Sequence, residues 1–248
     1  MIDNHSVTAH WNGDFSEEAL RNWAKELRSK LTAPRVSLGL VFISPRFFSQ
    51  AENILEILQL HAQIPLLVGC SGNALICGSE EIEESPGLTL GLYHLPGAEL
   101  RAYHFDQDKF SSMESPEDWH LASGVPPGES SGWLVFADPF NLDTEGWLQS
   151  WSKAYPGQPV LGGLASGVFT DQTTQVYLNT EVFEEGGIAL SVGGGVKLAS
   201  VISQGCTPIG DTWTLTRVER NFIQGIANRP AYEVLAETFN SLPAEEQV

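Results

Sequence analysis

Two stretches of this chain carry the same punctuation ninety-four residues apart: Leu40-Val41-Phe42, Pro45, Pro65, Leu67 and Gly69 recur as Leu134-Val135-Phe136, Pro139, Pro159, Leu161 and Gly163. Self-similarity of this kind is the signature of an internal duplication. Each copy reads as an apolar strand ended by proline, a helix-length segment, a second proline, another apolar strand and a loop of glycine and small residues. The loops are Gly69-Cys70-Ser71-Gly72 and Gly162-Gly163-Leu164-Ala165-Ser166-Gly167. Near-continuous apolar runs such as 36–44 need cover on both faces, which places them inside a sheet. The expected class is therefore α/β: two pseudo-repeated strand-helix-strand halves, sheets covered by helices, either as an α/β/β/α stack or as one long mixed sheet.

The remaining segments fill in that plan. Residues 6–11 alternate weakly and read as a short strand. A helix follows, capped by Asp14 or Ser16, with Leu20, Trp23, Ala24, Leu27 and Leu31 on one face, acids early and Arg28 and Lys30 late. Residues 51–62 read as the helix of the first copy. Segments 87–96 and 99–105 read as two strands joined at Pro96-Gly97, and 187–192 and 196–203 as their counterparts around Gly193-Gly194-Gly195. Residues 107–131 are polar and hold Pro116, Pro126 and Pro127, so they form a long connection. A strand is expected at 212–218 and a helix at 230–242, with Tyr232, Leu235, Ala236 and Phe239 on one face. The chain is thus expected to be a single domain over 1–248, with halves at about 1–106 and 132–242.

Bulk properties remove several function classes. With 31 acidic against 13 basic residues the formal net charge is −18, and no basic cluster is present. Nucleic acid and anionic membrane are therefore not expected partners. Three cysteines, Cys70, Cys77 and Cys206, make no disulfide framework, and neither a charged leader with an apolar block nor a membrane-length apolar run occurs. A cytoplasmic location is expected.

At this point the residues resemble a known family. Pro65-Leu66-Leu67-Val68-Gly69-Cys70-Ser71-Gly72 followed by Glu83-Glu84-Ser85-Pro86-Gly87-Leu88, Pro159 through Gly167, Glu185-Gly186-Gly187-Ile188-Ala189-Leu190, and Ser203 through Gly210 are together similar to the FIST N-terminal domain. Asn221 through Ile226 and Arg229 through Leu235 resemble its closing strand and helix. The resemblance implies a sensory domain of intracellular signal transduction that binds small ligands such as amino acids. It also implies a following FIST C-terminal domain or a signalling partner, neither of which is in this chain. The sequence accordingly reads as a piece cut at a domain boundary or as a shorter family member. The family offers no agreed catalytic residues to carry over.

The loops themselves supply the candidate site. Glycines let a ligand approach the main chain, and successive N–H groups in a tight turn can form an anion-binding nest. The expected ligand-binding residues are Gly69, Cys70, Ser71, Gly72, Gly163, Ala165, Ser166, Gly167, Cys206 and Thr207. The same glycines could equally serve tight turns alone. Cys70 could be the nucleophile of a hydrolase or transferase, which would need a base beside it, or a buried apolar filler. No zinc-type cysteine pair, Walker loop or dinucleotide fingerprint is present, and no cofactor or metal is expected. Asp138 reads as turn-forming before Pro139, and Trp147 and Trp151, four apart, read as core. The favoured function is a sensor of a small anionic or zwitterionic metabolite. A thiol enzyme using Cys70 and a ligand-free interaction module are the alternatives.

Overall fold

Ser16, not Asp14, starts the first helix. Its side chain accepts from the Ala19 N–H at 3.5 Å, and Glu17 and Glu18 occupy the positive end of α1 (Glu17–Lys30). The structure is a computed structural model that describes residues 4–83, 85–168, 170–202, 205, 208 and 210–243. Before α1 comes β1 (Ser6–Asn12). After it, β2 (Leu38–Ile43) ends where Pro45 opens a 3-10 turn (Pro45–Gln50), which runs into α2 (Ala51–His61) and then β3 (Leu67–Ser71). A small hairpin, β4 (Leu75–Cys77) and β5 (Glu80–Ile82), precedes β6 (Gly87–Tyr93).

The second copy repeats this order. β7 (Ala98–Phe105) leads through α3 (Gln107–Ser111) and α4 (Pro116–Ser123) to β8 (Ser130–Ala137), so the long polar connection contains two short helices. Then come α5 (Thr144–Ala154), β9 (Val160–Leu164), a hairpin of β10 (Val176–Leu178) and β11 (Glu181–Phe183), and β12 (Gly187–Gly194).

These strands form a six-stranded sheet, β1-β6-β2-β3-β10-β11, and a four-stranded sheet, β7-β12-β8-β9. The first four strands of the larger sheet match the smaller one in order and direction, with β2 parallel to β3 and β8 parallel to β9. Hairpin β10-β11, though it comes from the second copy, crosses to the first sheet, where β10 lies antiparallel to β3 with Tyr177 opposite Gly69. Apolar side chains fill three layers of core. Leu20, Leu27, Ile54 and Leu58 pack between α1, α2 and the large sheet. Leu38, Val68, Cys70, Phe136, Ile188 and Leu190 lie between the sheets. Trp119, Trp133, Trp147 and Trp151 pack between the small sheet and α4 and α5. The result is an α/β/β/α stack, and the stacked alternative, not the single long sheet, is the one this sequence adopts.

The strands expected on either side of Pro96-Gly97 form as β6 and β7, and this turn carries the chain from one sheet to the other. Two expectations need correction. Residues 196–202 form no strand, because both edges of β12 are already taken by β7 and β8 and leave no pairing edge after Gly193-Gly194-Gly195. Val196 and Leu198 instead pack their side chains against the inter-sheet core. Finally, the repeat offset is not constant. Val41 lies opposite Gly69 in β2-β3, and Val135 lies opposite Gly162 in β8-β9, so Gly162 and not Gly163 is the structural counterpart of Gly69.

Residues Met1–Ser200 form one compact unit and Val201–Val248 a second. In the second, β13 (Leu215–Glu219), β14 (Phe222–Ile226) and β15 (Arg229–Pro230) form an antiparallel sheet beside α6 (Ala231–Ser241). Arg229 binds the Glu237 carboxylate through both terminal nitrogens, at 2.7 and 2.9 Å. The helix forms as its spacing predicts, but Tyr232, Leu235 and Phe239 are exposed and Val234 is its buried residue.

His104 on β7 gives the fold a pH dependence. Its ring stacks on Phe183 with centroids 3.7 Å apart, and Nε2 lies 3.3 Å from the Glu185 carbonyl, a contact in which the neutral ring donates. Burial holds its pKa below the ordinary 6.5. The folded state therefore binds this proton less readily than the unfolded chain. The resulting stability is complete above pH of about 6.5 and is lost as pH falls from there through the folded pKa. The melting temperature should fall between pH 7 and pH 5, and His104→Gln should make that fall shallower.

Candidate functional site

The loop after β3 and the loop after β9 meet, as their equivalent positions at strand ends require. The Ser166 N–H donates to the Ser71 carbonyl at 3.1 Å, the Asn73 N–H donates to Ser166 Oγ at 2.9 Å, and Asn73 Nδ2 donates to the Gly167 carbonyl at 2.8 Å. Ser71 is also tied to the strand beside it: its N–H donates to the Gln175 carbonyl at 2.8 Å and its Oγ accepts from the Gln175 N–H at 3.0 Å. The Gly72 N–H reaches the Ile43 carbonyl at 3.0 Å, and the Ala165 N–H reaches the Ala137 carbonyl at 2.8 Å. These donors, expected to cradle an anion, are thus engaged within the protein, and those of Ser71 and Ser166 join the two halves. Ser71 is 1% exposed, and Ala165 and Gly167 are buried.

Asp138 sits under this junction, fully buried. It accepts from the Phe140 and Asn141 N–H groups, as a turn-forming aspartate does, and also from Thr174 Oγ1 at 2.8 Å. Gly69 is held against the Val41 carbonyl with no room for a side chain, whereas Gly163 faces open space on β9. Cys206 and Thr207 lie outside the described residues. Among the described residues no cluster of three or more His, Cys, Asp or Glu side chains gathers in metal-binding fashion.

Cys70 is 5% exposed in the core between the sheets, and burial pushes its thiol up to about 12. Its sulfur has no hydrogen-bond partner among the described residues, so no base stands ready to make a thiolate. Nucleophilic cysteines sit in the opposite setting, electropositive and accessible. The packing role accounts for Cys70.

The roomy cleft lies at the other end of the same strands. About 720 Å³ opens where the sheets part near the starts of β2 and β3, bounded by Leu66, Leu95, Leu100, Ala102 and Leu178 and by polar Arg35, Ser37, Gln63 and Asn179. This is the size of a small-ligand site, and its lining is mixed, with more polar than apolar surface. Ser37 and Asn179 are fixed in place. Ser37 Oγ accepts from the Leu95 N–H at 2.9 Å, and Asn179 Oδ1 accepts from the Leu67 N–H and from Gln59 Nε2, both at 3.2 Å. Asn179 and Gln63 hold φ of 56° each, the left-handed region that turns the chain at this rim. Arg35 forms no ion pair among the described residues. Sequence reasoning passed over it because one arginine after a proline carries no motif. A second, apolar cleft of about 190 Å³ lies between α5 and β9.

Comparison with known proteins places this architecture. The FIST N domain matches residues 37–229, most of both sheets and the start of the closing unit. The chain belongs to the FIST N domain family. Domains of this family are generally sensory domains of signal transduction, and α6 lies beyond the matched residues. The uncharacterized protein Rv0628c of Mycobacterium tuberculosis is 24% identical to this FIST domain over 238 residues, 90% of this chain and 57% of the relative. The uncharacterized protein Mb0898c of Mycobacterium bovis is 25% identical over 238 residues, 90% of this chain and 56% of its own length. The chain therefore spans little more than half the length of these relatives. No helix among the described residues is long and apolar enough to cross a membrane.

Proposed function

We propose that this FIST domain is a cytoplasmic sensor of a small anionic or zwitterionic metabolite, amino-acid-like in size and charge, held in the cleft between the sheets at the starts of β2 and β3. The observation that carries this reading is Arg35: an exposed guanidinium with no acidic partner among the described residues, at the rim of a cleft of about 720 Å³, in a chain of net charge −18. A carboxylate is the natural partner for such a group, which offers it two parallel N–H donors. Ser37, Gln63 and Asn179 supply neutral polar contacts, and Leu66, Leu100 and Leu178 supply apolar ones. Because both sheets line the cleft, a bound ligand would bias their spacing, which is how a sensor passes occupancy on.

The test is a thermal-shift screen against amino acids and small carboxylates, followed by calorimetry on any hit. A ligand at a hundred times its dissociation constant adds about 2.7 kcal/mol of stability. Arg35→Ala should weaken a carboxylate ligand by roughly 10- to 100-fold, the loss of a charge-assisted hydrogen bond of about 1.5–3 kcal/mol. Cys70→Ser should leave affinity within about tenfold. An Arg35→Ala variant that binds as tightly as the wild type would move the ligand away from this cleft. A flat screen would leave the interaction-module reading in its place.

A further inference from the structure

The two copies differ at one sheet edge. In the first, β3 has β2 on one side and the antiparallel strand β10 on the other. Tyr177 of β10, opposite Gly69, is fully buried in the core beneath α2. In the second copy, β9 has β8 on one side and, among the described residues, no strand on the other. Directly above Gly162, the counterpart of Gly69, lies the apolar cleft of about 190 Å³, lined by Trp147, Leu148, Val160 and Leu164. Leu164 is 57% exposed and Leu148 44%.

We propose that the free edge of β9 is the docking edge for an antiparallel strand from the additional polypeptide that longer family members carry, with a bulky apolar side chain opposite Gly162 seated in this cleft. The pairing of β10 with β3 is the internal precedent for both the direction and the register. Tyr177 opposite Gly69 becomes an aromatic or large aliphatic residue opposite Gly162, flanked by neighbours opposite Leu161 and Gly163. β9 is also unguarded. Open edges are normally protected by charge, proline or bulges. Here β7 carries Glu99 and Arg101 and β11 carries Glu181, whereas β9 reads Val-Leu-Gly-Gly-Leu without a charge. A bare glycine-rich edge beside an apolar slot suits strand addition, in which main-chain bonds supply affinity and the slot supplies specificity. The occupant is identified by length: the relatives of Mycobacterium tuberculosis and Mycobacterium bovis are 57% and 56% covered by this chain, which leaves ample polypeptide to furnish a hairpin.

Residue-resolved hydrogen exchange on this chain and on full-length Rv0628c tests this. In the present chain at low micromolar concentration, the outward-pointing amides of β9 should exchange at least about 1000-fold faster than amides of β3, since edge amides open with little cost while central ones need larger unfolding. In full-length Rv0628c, the segment aligned with β9 should show protection equal to the segment aligned with β3, on alternate residues as strand pairing requires. Fast exchange at that segment in the full-length relative would overturn the proposal. So would protection of β9 in the present chain, whether it is independent of concentration, meaning a closed edge, or rises with concentration, meaning a second copy as occupant.

Discussion

Gly69→Ala is expected to destabilise the domain by at least about 3 kcal/mol, and Gly163→Ala to change stability by no more than about 0.5 kcal/mol. A Cβ at Gly69 would collide with the carbonyl oxygen of Val41 on the neighbouring parallel strand, and the obstacle is main chain, which no rotamer change can clear. Inserting even one methyl into a packed region costs about 1–3 kcal/mol where side chains can adjust, and more where they cannot. Gly162 meets the Val135 carbonyl in the same way and, with φ of 139°, adds a backbone conformation unsuited to alanine. Gly163 meets nothing within 4 Å of a Cβ, so its substitution is a surface change. Urea midpoints for the three variants decide the matter. A costly Gly163→Ala beside a harmless Gly162→Ala would restore the constant ninety-four-residue offset and undo the structural equivalence on which the docking edge rests.

That one-residue difference shows where sequence reading stops. The repeat, α1 with its cap, the buried strands β2 and β3 and the packed Trp147-Trp151 pair were legible because each is written in local signals: prolines, a serine before acids, apolar spacing of two or four. Sheet membership was not. Nothing in Val176-Tyr177-Leu178 says that these residues pair with β3 of the other half and not with β9 of their own, because the choice depends on how the sheets stack. Residues 196–202 stay outside the sheets despite their apolar content, since both edges of β12, the strand they follow, are taken. Trp119 and Trp133 had no periodic partner in sequence, since their contacts come from α5, a separate element.

The candidate site was legible only in part, for a related reason. Glycine-rich loops at equivalent strand ends do come together, as the duplication implies. Whether their polar groups remain free depends on partners outside the motif: here the Gln175, Ile43 and Ala137 carbonyls accept from the Ser71, Gly72 and Ala165 N–H groups, while Asn73 and Gln175 donate to Ser166 Oγ, the Gly167 carbonyl and Ser71 Oγ. Arg35 offers the converse: a residue without a motif, proposed here as a ligand contact because it has no acidic neighbour among the described residues of an acidic chain. A motif reports which chemistry a backbone can offer, and only the fold reports what has already consumed it.

Trp151→Ala should be the costliest single side-chain truncation in the second copy, at about 3–5 kcal/mol, the usual range for removing a buried tryptophan. The indole is fully buried, with ring centroids at 4.8 Å from Trp133, 5.0 Å from Trp119 and Tyr155, and 5.2 Å from Trp147. Those rings come from β8, α4 and α5, so the cavity cannot close without moving three elements, and the aromatic pairs lost, each worth ~0.5–1.5 kcal/mol, place the cost toward the top of that range. Trp151→Phe should cost far less, under about 1.5 kcal/mol, because the Trp151 Nε1–H has no hydrogen-bond partner among the described residues and phenylalanine leaves nothing polar behind. Trp133→Phe should be worse than Trp151→Phe, since Trp133 Nε1 donates to Gln158 Oε1 at 2.8 Å and the change orphans that acceptor. If chemical denaturation ranks Trp151→Phe as costly as Trp151→Ala, the cluster is held by indole polarity and not by packing. The order matters for function as well: these rings fix α5 over β8, and α5 forms the wall of the cleft beside β9, so a loosened cluster would widen the seat that the docking strand has to fill.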